Sequence, residues 1–141
     1  MKEFQQVRDW KEIRGIGGST DEPMKDRLQA QYQRVIQECI EIHDAIVKDD
    51  QEEFIDAIGD TIVTLINIAA IKGIDAEDCL EQAFGVIKLR KGLTSEVGDF
   101  VRYAKLTPAQ QAICDAKQGN PGNQYFSESA LATLAPEDFK E

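Results

Sequence analysis

Glu38, Glu41, Glu53, Asp56 and Asp60, five of the nine acidic residues from position 38 to position 60, interrupt stretches that are otherwise apolar in rhythm. Glu38 and Glu41 are three residues apart, Asp56 and Asp60 are four apart, and Glu53 precedes Asp56 by three. At about 100° per residue, spacings of three, four and seven keep side chains on one helix face. Carboxylates gathered in one place repel one another unless a cation lies between them. Hard oxygen donors without His or Cys select Mg²⁺, with Mn²⁺ as the alternative, over zinc or copper. Magnesium keeps several waters and completes its shell from substrate phosphates, so the pattern points to phosphate-ester or phosphoanhydride chemistry.

Two helices must position these acids. The first starts near Pro23, which suits a first turn, and Leu28, Tyr32, Val35, Cys39, Ile42 and Ile46 carry its apolar rhythm to Val47. After the break KDDQ, the second runs from about Glu52 to Lys72 with Gly73 as its cap. So short a break favours an antiparallel pair, in which the two acidic faces meet. The run TIVTLINIAAI is apolar on almost every side, which predicts a helix covered by several neighbours. Ahead of the pair, residues 2–14 form a weakly amphipathic helix through Phe4, Val7, Trp10 and Ile13, ended by GIGGSTDEP. After it, Asp75 caps a fourth helix that ends in KLRK, with Gly92 as its stop. LTSEVGDFVRY reads as a hairpin turning at Gly98–Asp99. Thr107, Pro108 and Gln110 open another helix with a capping box, and Ser127 caps a last short one.

The basic cluster Lys88, Arg90 and Lys91 has two readings. It complements the C-terminal end of a helix dipole, or it holds phosphates. Trp10 either anchors the core or stacks on a base. The one histidine, His43, stands outside any Glu-x-x-His pattern and receives no role.

With 26 acidic against 16 basic residues and a net charge of −10, a broad basic surface for nucleic acid is excluded. At 141 residues and 42% apolar, the chain is long enough to bury a real core. The N-terminus has no apolar signal core, and the run 61–71 is about half the ~20 residues of a membrane span. A cytoplasmic protein with no membrane partner is the expectation. Cys39, Cys79 and Cys114 make no CxxC pair and read as small buried hydrophobes.

The runs QECIE, DAIGDTIVTLINIAA and IKLRKG, together with the opening W…RGI…GST, resemble the MazG-like, phage-type members of the all-α nucleoside triphosphate pyrophosphohydrolases. The resemblance covers roughly residues 4–103 and implies an all-α, four-helix bundle as one domain (1–103). The domain would end in the hairpin, and a C-terminal extension with short helices (104–141) would pack on it. It implies Mg²⁺-dependent hydrolysis of a (deoxy)nucleoside triphosphate to monophosphate and pyrophosphate. A homo-dimer or homo-tetramer with a site near the subunit interface is also implied. Glu38, Glu41, Asp56 and Asp60 would hold the metal, with Glu53 as a substitute or outer ligand. Glu38 or Glu41 would serve the attacking water, and Lys88, Arg90, Lys91, Asn67 and Trp10 would bind substrate. Asn67 has a structural alternative, as a brace between helices. The family's second motif, ExxD, is altered here: Ala57 stands where its Glu would be, and Gly85 stands near a position where many members carry Asn. The rival readings are a nucleotide sensor without turnover and a helical interaction protein with an acidic face.

Overall fold

The structure is a computed structural model that describes residues 2–88, 90–95 and 97–118. The last short helix expected after Ser127 lies outside the described residues. Five helices and one small hairpin follow in order: α1 (Lys2–Arg14), α2 (Met24–Lys48), α3 (Gln51–Ile71), α4 (Ala76–Ile87), β1 (Gly92–Thr94), β2 (Phe100–Arg102) and α5 (Pro108–Gln118). The all-α class expected from the sequence is what the chain adopts. It divides into two compact units, Met1–Leu80 and Glu81–Glu141.

In the first unit, α2 and α3 pack along their length and α1 lies against α3. Two residues join the pair. Asp49 takes a left-handed φ of 54°, its amide bonds back to Ile46, and the next amide, Asp50, reaches Ala45. The Asp50 carboxylate then accepts the Glu53 amide and caps α3. Ala45 and Ala57, each 1% exposed, are small enough to let the helices approach closely. At the far end, the amides of Gly73 and Ile74 bond to Ala70 and Ala69, the Schellman closure expected of a glycine cap.

Only one face of this pair is covered. Ile66 and Ile71 are buried, whereas Ile55, Ile58, Ile62 and Leu65 of α3 and Ile36 and Ile40 of α2 are exposed. Helix 61–71, expected to be covered by several neighbours, keeps Ile62 and Leu65 exposed within one chain. By length and composition α3 is also apolar enough to cross a membrane. Cys39 and Cys79 are exposed and only Cys114 is buried, so the reading of all three as core residues is corrected. Periodicity identified the stripe of Cys39 without telling which stripe faces inward.

Arg8 of α1 grips Glu77 at the start of α4 through two parallel bonds, Nη1 to Oε2 at 2.7 Å and Nη2 to Oε1 at 2.9 Å. The guanidinium holds the Glu77 carboxyl down to about 2, with help from a backbone hydrogen bond. Because the folded value lies below the unfolded one, the pair stabilises the fold above about pH 4.5, and that contribution is lost as pH falls towards 2. Denaturant titrations of wild type and Glu77→Gln should therefore differ near neutrality and converge at the acid end of that window. A gap that persists there would locate the effect elsewhere.

In the second unit, Leu93, Leu106 and Cys114 form a small core with Val101 and Tyr103 packed against it. The reciprocal capping box is present: the Thr107 amide donates to Gln110 Oε1, and the Gln110 amide to Thr107 Oγ1. The hairpin forms where expected, with Leu93 paired to Val101. Gly92 has a different job from the one anticipated. α4 ends at Ile87, and Gly92 opens β1, where a Cβ would run into the Val101 carbonyl and the Phe100 ring.

Candidate metal and nucleotide site

Glu38 is the centre of the first unit. It is 3% exposed although its neighbours Cys39 and Ile40 are exposed, so α2 turns its carboxylate inward and apolar side chains outward. Arg34, one turn earlier, brings Nη2 within 3.3 Å of Glu38 Oε1. Among the described residues, Glu38 Oε2 has no hydrogen-bond partner, and neither has Asn67 Oδ1, which is equally buried on α3. Leaving a buried polar atom unsatisfied costs about 1–3 kcal/mol. Burial first, then the charges of Glu41 and Asp60, push the Glu38 carboxyl above its ordinary value, and Arg34 offsets only part of this.

These groups border a cavity of about 400 Å³ whose wall includes Trp10, Arg34, Glu38, Asp60, Thr64 and Asn67. The Thr64 hydroxyl donates to the Thr61 carbonyl of its own helix at 2.8 Å, so it does not answer the two orphaned acceptors. The cavity thus presents two acceptors without donors, an aromatic face and one guanidinium. It fits a hard cation or a ligand that donates hydrogen bonds.

Of the sequence-predicted metal ligands, Glu41 and Asp60 lie close enough for their charges to bear on Glu38. Asp56 and Glu53 are exposed on α3, Glu53 in its first turn. Among the described residues, no group of three or more His, Cys, Asp or Glu side chains is gathered so as to hold a metal ion. Ala57 is 1% exposed, whereas the acid beside it, Asp56, is exposed. Trp10 and Asn67 both line the cavity.

The basic cluster belongs to the second unit and is partly engaged there. Lys91 Nζ lies 2.6 Å from Asp115 Oδ1 and 5.0 Å from the Tyr103 ring centroid, while the Tyr103 hydroxyl donates to Asp115 Oδ2. Lys91 holds the Asp115 carboxyl below the usual carboxylate range. Lys88 Nζ sits 5.8 Å from the Phe84 ring centroid, and Arg90 is half-buried beyond the end of α4. The cation that reaches the cavity wall is Arg34, which sequence reasoning missed. Its signal was present as an Arg–Glu pair four apart across the inward face of α2.

No curated protein and no solved structure is significantly similar to this chain. Residues 27–91 match the MazG nucleotide pyrophosphohydrolase domain family. The matched segment holds Arg34, Glu38, Glu41, Asp56, Asp60, Asn67 and the cluster through Lys91, while Trp10 precedes it. Over residues 27–91, a little under half of the chain, the sequence is similar to the MazG nucleotide pyrophosphohydrolase domain, and the described helices of that segment agree with an all-α domain.

Proposed function

We propose that the protein hydrolyses a nucleoside or deoxynucleoside triphosphate to the monophosphate and pyrophosphate, with Mg²⁺ as cofactor and Mn²⁺ as its substitute. The observation that carries this reading is Glu38: nearly inaccessible, with one oxygen unpartnered, in a cavity that also offers Asn67 Oδ1 and the face of Trp10.

Glu38, Glu41, Asp60 and Asp56 would hold the ion, with Glu53 in support. When bound, Mg²⁺ neutralises phosphate charge and lowers the pKa of water. The chain supplies the rest. Glu38, whose carboxyl is held above the ordinary glutamate value, suits the role of proton acceptor for the attacking water, and Glu41 is its alternative. The water oxygen bonds to one of the two phosphorus atoms flanking the α,β-bridge, the bridging oxygen leaves with the other, and monophosphate and pyrophosphate depart. Arg34, Lys88, Arg90 and Lys91 would stabilise charge on the phosphates, Trp10 would stack on the base and Asn67 would hydrogen-bond the nucleotide. The exposed apolar faces of α2 and α3 support a homo-dimer or homo-tetramer.

The test is pyrophosphate release from a panel of canonical and modified nucleoside triphosphates, with Mg²⁺ and with EDTA. Metal-dependent release together with the monophosphate is the expected result, and silence across the panel from folded protein would overturn it. The absence of an assembled carboxylate group among the described residues favours one second reading, a sensor that binds nucleotide without turnover. Saturable nucleotide binding with no pyrophosphate release would select it.

A further inference from the structure

Ile16 also borders a second cavity, of about 420 Å³, whose wall includes Lys11, Arg27, Gly15, Gly18, Glu12 and Glu22. Its chemistry is opposite to that of the first. Lys11 is 4% exposed, an unusual place for an ammonium. Its ion pair among the described residues is with Glu12 Oε1 at 3.4 Å, and that carboxylate is itself 79% exposed. A long contact to a solvated partner compensates little of the cost of burying the charge.

The donors of the loop around it are only partly paired. Arg27 Nε donates to the Gly17 carbonyl at 2.6 Å, and its two terminal nitrogens have no protein acceptor among the described residues. The amides of Gly17 and Gly18 also lack one among the described residues, although Gly17 is buried. Both glycines have positive φ, 96° and 78°. A Cβ at Gly17 would press on Ile71 at 3.1 Å and on Lys11 Cε at 3.3 Å, so the loop is closed down over the lysine stem. A buried ammonium, an unsated guanidinium and glycine amides together recognise an oxyanion. Glu12 and Glu22 oppose this, and Glu22 Oε2 would lie 2.8 Å from a Cβ at Gly18, so an anion there must displace that carboxylate; both side chains belong to exposed residues, where water screens them and they are free to turn away.

We propose that this cavity binds the oxyanions of a phosphoanhydride: diphosphate, either free or as the tail of a nucleoside triphosphate. The free-diphosphate form stands without the hydrolase reading, and the nucleotide form rests on it.

The experiment is calorimetric titration of the full chain, in EDTA, with inorganic diphosphate and with a nucleoside triphosphate carrying a methylene bridge between its α and β phosphorus atoms. Working without metal keeps the carboxylate cavity out of the measurement. Wild type should bind diphosphate, and Lys11→Met should weaken it about tenfold or more. That variant should melt at the same temperature or higher, because an apolar side chain of similar length replaces a buried charge. Glu12→Gln should tighten binding. Competition by the analogue assigns the site to the substrate tail, and its absence assigns it to free diphosphate. No heat from wild type, or unchanged affinity in Lys11→Met, would overturn the proposal. Should Lys11→Met fail to fold, Arg27→Gln decides by the same measure. Diphosphate binding without pyrophosphate release would refute the hydrolase reading and leave this one standing. Turnover without diphosphate binding would do the reverse.

Discussion

Replacing Glu38 by Gln should lower pyrophosphate release by about 10³-fold or more while leaving the metal-free protein at least as heat-resistant as wild type. The two halves of this expectation have one cause. Glu38 is held where burial and the neighbouring carboxylates Glu41 and Asp60 disfavour its charge. Near neutrality the folded chain therefore carries an electrostatic penalty there that an amide of the same shape does not. The same penalty makes the carboxylate a demanding partner for a cation or a proton. Melting curves in EDTA and in Mg²⁺ separate the roles. Wild type should gain stability on adding Mg²⁺ and Glu38→Gln should not. A variant that keeps turnover would remove Glu38 from the site. One that melts earlier in EDTA would show its principal role to be the contact with Arg34.

The helices were legible because their ends are written in local chemistry. Thr107 and Gln110 bond to each other's backbone as a capping box must, Gly73 closes α3, and the KDDQ break forces α2 and α3 to pack antiparallel. These signals depend on residues a few positions apart, and a sequence displays them directly. The inward face was not legible in the same way. Flanking Ile36, Cys39 and Ile40 suggested that Glu38 sits among core residues, yet those neighbours are exposed and Glu38 is buried. Periodicity reports that a helix has two faces, and it does not say which of them the same chain covers. Lys11 was missed for a related reason. A lysine on a weakly amphipathic helix reads as solvated, and only the return of the glycine loop over its stem buries it. Gly92 shows the third limit, since its requirement comes from the facing strand, from the Val101 carbonyl and the Phe100 ring.

Ile62→Glu on α3 and Ile40→Glu on α2 should each convert a dimer or larger assembly into a monomer, read by light scattering during gel filtration. Ile55, Ile58, Ile62 and Leu65 recur at three- and four-residue steps and so share one face of α3, and all four are exposed. Ile36 and Ile40 form a matching stripe on α2. Contiguous apolar surface of this kind is uncommon on a monomer, and each isoleucine covered by a partner contributes about 1.5–3 kcal/mol. A glutamate in the same place would have to be desolvated without a counter-charge, so one substitution should outweigh several retained contacts. Glu38 lies on the opposite, inward side of α2 from Ile40 in exposure, so these substitutions leave the cavity chemistry in place. Turnover that falls in step with the loss of the assembly would put the site's completion at the subunit contact. Turnover kept by a stable monomer would make the assembly separate from the chemistry. If wild type is already monomeric and instead floats with lipid vesicles, the length and hydropathy of α3 identify the covering phase as bilayer rather than a second copy.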